Sequence, residues 1–196
     1  MEEIKKVLFF LESLPLLIVF LVLFIVIVVV NSSNGNPYPD ETFVVPFNSD
    51  VVYYITSPFG ERIDPINKEH DFHTGIDLVV PEGTPILASA SGIVYKTGYN
   101  DSIGNYVYLQ HFVDGMIYYT VYCHMSDNSI IVEEGQPVSQ KEMLGIVGAT
   151  GRVTGRHLHF TLMSPEPKWD RTNLKDPKFI FEKKEEDNVQ KQMEPS

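Results

Sequence analysis

Two short motifs, far apart in the chain, carry residue types that bind metals. His73-Thr74-Gly75-Ile76-Asp77 supplies an imidazole and a carboxylate, and His157-Leu158-His159 supplies two more imidazoles. Three imidazoles and a carboxylate are ligands that zinc takes when it does chemistry. A fourth imidazole, His124, lies between the motifs in a strand-like stretch, so four of the six histidines read as one site. His73, Asp77 and one of the late pair make three ligands and leave the fourth position for water, whereas structural zinc sites are closed by four. The ion lowers the pKa of that water from about 15.7 to about 7. Asp77 adds a hard anionic oxygen that helps select Zn2+ over softer-site metals. The sequence has no His-Glu-x-x-His helix to supply a glutamate base. Acid–base work then falls to His124 and whichever of His157 and His159 is not a ligand, a task suited to the intrinsic pKa of histidine.

Extended strands have to position these groups. Residues two apart on a strand face the same side, about 6.6 Å apart. His157 and His159 can therefore reach one site and still do different jobs, while Leu158 and Phe160 point into the core. His73 and Asp77 would be about 13 Å apart on a straight strand, too far to share an ion. The chain must bend between them, and Gly75 is the residue that permits a bend. Strand signals recur at Gly92-Ile-Val-Tyr-Lys, Asn105-Tyr-Val-Tyr-Leu, Tyr118-Tyr-Thr-Val-Tyr and Leu158-His-Phe-Thr-Leu. Asp114-Gly115 sits where a hairpin turn belongs. No window of ten residues after position 50 has helical periodicity, which predicts an all-β domain, a compact antiparallel sandwich or open barrel. Cys123, the single cysteine, neighbours His124. Adjacent strand residues point to opposite faces, so Cys123 reads as a buried small apolar residue rather than a nucleophile.

The 196 residues leave room for segments outside this domain. From Leu14 to Val30 every residue is apolar, and with Glu12 and Ser13 tolerated the run reaches back to Leu8, enough for one transmembrane helix. Lys5 and Lys6 precede it and no Lys or Arg follows until Arg62, which places the N-terminus in the cytoplasm and the rest outside. The resulting division is a cytoplasmic 1–7, an anchor at 8–30, a polar linker at 31–50, the β domain at 51–181 and a charged, disordered tail at 182–196. A net charge of −11 argues against a nucleic-acid partner.

The ordered series His73-Thr-Gly-Ile-Asp-Leu, Gly83-Thr-Pro-Ile, Ala88-Ser-Ala-Ser-Gly-Ile-Val, Tyr122-Cys-His-Met-Ser, Gly135-Gln-Pro-Val, Gly145-Ile-Val-Gly-Ala-Thr-Gly and His157-Leu-His-Phe resembles the M23 metallopeptidases, the lysostaphin- and LytM-like peptidoglycan endopeptidases. The likeness runs from about Ser57 to Leu162. It implies a zinc enzyme with a compact antiparallel β fold that cleaves peptide stems or cross-bridges of bacterial walls. Carried over, the ligands are His73, Asp77 and His159, and the catalytic residues are His124 and His157, which would polarise the water and stabilise the oxyanion. Arg62 and Asn105 would line the groove, His70 would sit on a loop, and His111 would be structural. The loops near 60–72 and 99–104 would distinguish the bond cleaved. The implied partners are peptidoglycan peptides and, through the N-terminal helix, the cytoplasmic membrane. The alternatives are a non-hydrolytic scaffold in a cell-envelope assembly and a mobile-element enzyme that opens the wall locally.

Overall fold

The computed structural model describes residues 43–182. The apolar run at 8–30, the start of the linker and the tail beyond 182 lie outside the described residues. Among the described residues twelve strands form, and every pairing between them is antiparallel. They are β1 (Tyr54–Ser57), β2 (Gly60–Ile63), β3 (His70–His73), β4 (Ile76–Val79), β5 (Pro85–Leu87), β6 (Gly92–Asn100), β7 (Gly104–Val113), β8 (Met116–Met125), β9 (Pro137–Val138), β10 (Met143–Ile146), β11 (Leu158–Met163) and β12 (Leu174–Lys175). The main sheet runs β1-β4-β11-β8-β7-β6-β9 with β12 against β11, while β5–β10 and β2–β3 form two-stranded sheets. The all-β antiparallel expectation holds, and all four strand signals read from the sequence fall on strands.

Alternation along the central strands makes two buried faces. On one, Val107, Leu109, Tyr122, Leu158, Phe160 and Leu162 meet Ile86 and Leu144 of the β5–β10 sheet. Each such side chain contributes about 1.5–3 kcal/mol on burial. On the other lie Tyr106, Tyr108, Tyr119, Val121, Cys123 and Met163. Cys123 is inaccessible, as a small apolar residue would be. The β7–β8 hairpin turns on Asp114 and Gly115, both at positive φ (50° and 76°), the geometry of a type I′ turn.

Two expectations change. Part of the stretch read as a spacer belongs to the domain: Phe43, Val45 and Phe47 are buried in the main core, and Lys141 Nζ donates to the carbonyls of Val45 and Phe47. Alternate apolar residues among Pro and Asn are a strand-like pattern that composition alone hides. Gly75 does lie at the break between β3 and β4, but the need for glycine there is close approach. A Cβ on it would stand 2.3 Å from the Phe160 carbonyl oxygen on β11. That contact presses the β3–β4 corner onto the strand that carries His159.

Candidate metal centre

Register builds the site. β4 and β11 pair so that Asp77 stands opposite His159, and the two side chains share a face. His73, at the end of β3, is brought over the same face by the bend at Gly75. Three atoms converge: His73 Nε2 lies 3.1 Å from Asp77 Oδ1, His159 Nδ1 lies 2.9 Å from the same oxygen, and the two nitrogens are 3.0 Å apart. Tetrahedral zinc, with ligand distances of about 2.0–2.1 Å, separates its ligands by about 3.3 Å, so the triangle is close to the size a zinc ion requires.

The surrounding hydrogen bonds turn these atoms into donors to a cation. His73 Nδ1 is 2.8 Å from the Pro58 carbonyl, which only accepts, so Nδ1 carries the proton and Nε2 presents a lone pair. His159 Nε2 is 2.9 Å from the Thr161 hydroxyl, which can accept its proton and leave Nδ1 bare. Burial pushes the pKa of His159 down. Burial would raise that of Asp77, but the His159 and His73 rings beside it outweigh burial and keep it well below the usual carboxylate range. Two lone pairs and an anionic oxygen within 3.1 Å repel one another unless a cation joins them. A proton bridges one edge of the triangle; a dication satisfies all three. The residues fit a divalent metal.

His124 and His157 stand beside this triangle. Their rings are 4.8 Å apart, and that of His124 is 6.0 Å from that of His159. His157 Nε2 lies 3.6 Å from Asp77 Oδ1. Strict alternation would aim His124 away from the Cys123 side of the sheet, where His159 lies. A bulge on β8 intervenes, because three steps from Met125 to Tyr122 oppose two from Asn105 to Val107. His124 sits in it with φ at 59°, a left-handed conformation that costs a non-glycine residue about 1–3 kcal/mol and re-aims the ring. Its Nδ1–H donates to the Thr150 carbonyl at 2.9 Å, and His157 Nδ1–H donates to that of Gly155 at 2.9 Å. In both rings Nε2 is left to face the site. Burial, the largest influence on His124, pushes its pKa down to about 4.

The structure gathers all five residues singled out in the sequence. It also shows supports that the sequence did not disclose. Ser57, Pro58, Thr161, Thr150 and Gly155 hold the imidazoles, and only Thr161, two residues after His159 on one strand face, had a signal in its spacing. Arg62 serves differently from a groove-lining residue: its guanidinium reaches Asp77 Oδ2 at 3.4 Å, Ser57 Oγ at 3.0 Å and Asp71 Oδ2 at 3.1 Å. Asn105 donates to Asp127 and to the Met125 carbonyl, bracing the bulge. His70 is exposed on β3 rather than on a loop, since the 60–72 stretch is the β2–β3 hairpin. His111 is buried and structural, as expected, bonded to the Ser91 carbonyl and the Thr120 hydroxyl.

The chain is similar to known proteins in sequence and fold. The sequence model of peptidase family M23 matches residues 71–173, which takes in all five. Peptidoglycan DD-endopeptidase ShyA of Vibrio cholerae is 42% identical over 115 residues, 58% of this chain and 26% of that protein. A zinc-containing peptidase from Vibrio cholerae superposes with a TM-score of 0.57 at 30% identity, covering 70% of this chain and 39% of its own. The catalytic domain of lysostaphin from Staphylococcus simulans gives 0.57 at 27% identity over 66% of this chain and 92% of that domain. The matched regions of the curated relatives span 22% to 35% of their lengths. A match across more than half of the sequence, on the fold and residues described above, places the chain in peptidase family M23.

Proposed function

We propose that the protein is a zinc-dependent endopeptidase that hydrolyses peptide bonds in the stems or cross-bridges of bacterial peptidoglycan. The observation that carries this reading is the triangle of His73 Nε2, Asp77 Oδ1 and His159 Nδ1, with edges of 2.9–3.1 Å, beside two further imidazoles. The relatives, peptidoglycan DD-endopeptidases and a zinc-containing peptidase by name, support the substrate and the metal. The apolar run at 8–30, with its flanking Lys5 and Lys6, supports a single-pass anchor holding the domain on the outer side of the cytoplasmic membrane.

His73, Asp77 and His159 would hold the ion. Zinc, when bound, supplies Lewis acidity toward water and the peptide carbonyl. Arg62 fixes the Asp77 carboxylate from its outer oxygen, and Pro58 fixes the His73 tautomer. His124, kept neutral by burial and oriented by Thr150, offers an Nε2 lone pair that takes a proton from the attacking water. His157, with Nδ1–H on Gly155, presents Nε2 from the other side of the site; when Nε2 carries a proton too, it donates to the charge developing on the carbonyl oxygen.

The test is muropeptide release. Sacculi of several wall chemotypes are incubated with the zinc-loaded full chain and products are identified by mass spectrometry. Discrete peptide cleavage is expected, lost in His124→Ala and His157→Ala while bound zinc stays stoichiometric. No cleavage of any chemotype overturns the proposal and leaves the scaffold reading, in which only loss of the anchor or the fold has a phenotype; undiminished cleavage by both variants overturns the roles given to His124 and His157.

A further inference from the structure

The catalytic histidines are held unequally. The Thr150 carbonyl that orients His124 belongs to a residue pinned twice more, since Thr150 Oγ1 donates to the Met125 carbonyl at 2.7 Å and accepts from the Asn105 amide at 2.9 Å. The Gly155 carbonyl that orients His157 has no such support. Between Thr150 and His157, the chain is tied back at its start by Arg152, whose N–H donates to the Ser102 carbonyl at 3.0 Å and whose side chain reaches away. It is tied at its end by the Arg156 guanidinium, which donates to the Val147 carbonyl at 3.2 Å and to the exposed Glu82 carboxylate at 2.7 Å. Val153, Thr154 and Gly155 make no other hydrogen bond, and Gly155 is exposed.

The Arg152 side chain reaches far in sequence. The Arg152 guanidinium forms a two-point fork with Asp64, at 2.9 Å to Oδ2 and 3.1 Å to Oδ1. Asp64 is a built receptor: its residue is 5% exposed, and Oδ1 also accepts the amides of Ile66 and Asn67 at 2.7 and 3.0 Å. It begins the turn of the β2–β3 hairpin, and the same hairpin carries Arg62 near the turn and His73 at its base. With the Arg156 tether beyond its far end and one backbone bond at Arg152, the 152–155 stretch keeps freedom to rotate its Gly155 carbonyl. A planar fork to a carboxylate that cannot itself move removes that freedom.

We infer that Arg152, clamped by Asp64, is a positioning residue that orients His157 through the 152–155 stretch. The clamp joins the hairpin that carries a metal ligand to the loop that aims a catalytic histidine, so the two sides of the site keep one spacing. The consequence for turnover rests on the catalytic role proposed for His157; the orientation itself does not.

Histidine tautomers test it, read by long-range 1H–15N correlation on the zinc-loaded full chain in detergent micelles. In the wild type His157 shows a single Nδ1–H form. In Arg152→Gln it becomes a mixture of tautomers, while His124, with its own anchors, and the remote His111 keep their wild-type signals. Asp64→Asn reproduces the change, and Arg152→Lys restores it only in part, because an ammonium cannot form the planar fork. Muropeptide hydrolysis by Arg152→Gln falls in kcat by about ten- to a hundredfold, with KM within about twofold. An unchanged His157 tautomer in Arg152→Gln overturns the inference, as does a shift of His124 and His111 together with His157, which marks general loosening. A rise in KM alone makes Arg152 a substrate contact and also overturns it. If the wild-type chain hydrolyses nothing, the peptidase reading fails while the tautomer comparison still decides the positioning.

Discussion

Replacing His111 by Gln should cost stability at neutral pH and progressively less in acid. His111 is fully buried on β7, with Phe43 packed edge-on against its ring at 5.4 Å. Its Nδ1–H donates to the Ser91 carbonyl at 3.0 Å, so Nε2 is the acceptor for the Thr120 hydroxyl at 2.8 Å. Thr120 in turn lies 3.0 Å from the Tyr122 hydroxyl, which accepts the Ser89 amide at 2.8 Å. This directional chain needs a neutral imidazole. Burial, opposed by the bond to Ser91, pushes the pKa of His111 from the usual 6.5 down to about 4. Between those values the unfolded chain binds a proton that the folded chain does not. The stability His111 contributes is therefore complete above pH 6.5, and it is lost as pH falls toward 4. At about 1.4 kcal/mol per pH unit the loss totals about 3 kcal/mol. Urea unfolding of wild type and His111→Gln at several pH values from 7.5 to 4 isolates it, because acid effects at the metal site are common to both chains and cancel in the difference. The penalty of the substitution should shrink by about 3 kcal/mol over that range. A penalty that stays constant with pH refutes the neutral, buried imidazole.

Gly75→Ala should destabilise the domain by about 1–3 kcal/mol in the same urea assay and weaken metal binding, because the added Cβ meets the Phe160 carbonyl of β11, backbone that cannot yield, and the Thr161 hydroxyl beside His159; equal stability and affinity would show that the corner is free to move. Asp77→Asn should reduce zinc affinity at least about tenfold in a chelator competition, since it removes the one anionic ligand. An unchanged affinity would place the ion elsewhere. Cys123 should not react with a thiol reagent in the native chain and should do so on unfolding, because burial pushes its thiol pKa up and closes access to it. Reaction at the native rate of an exposed thiol contradicts its placement between β-strand neighbours.

Much of the site is legible in the sequence because its signals are local. His157-x-His159 and the Asp114-Gly115 turn follow from strand period and turn chemistry within a few residues. The β-branched runs around Val107, Val121 and Phe160 announce the sheet for the same reason. What escapes is set by long-range contact. Alternation alone puts His124 on the wrong face, and the β8 bulge that corrects it depends on pairing with β7. Gly75 reads as a flexible bend, whereas the need for glycine comes from the backbone of β11 more than eighty residues later. Arg62 bonds to Asp77 and Asp64 to Arg152 only after the β2–β3 hairpin has been laid over the sheet. The Phe43, Val45 and Phe47 side chains look like linker until the core they cover exists.

The central claim is that three residues hold a metal and leave a position open to water. Anomalous diffraction at the zinc absorption edge, on crystals of the zinc-loaded protein, tests it most directly. One peak is predicted, about 2.0–2.1 Å from His73 Nε2, His159 Nδ1 and an Asp77 oxygen, with a non-protein fourth ligand and with His124 and His157 near it but unbound. A peak closed by four protein ligands, one bound by His157 in place of His159, or none at these residues would contradict the account.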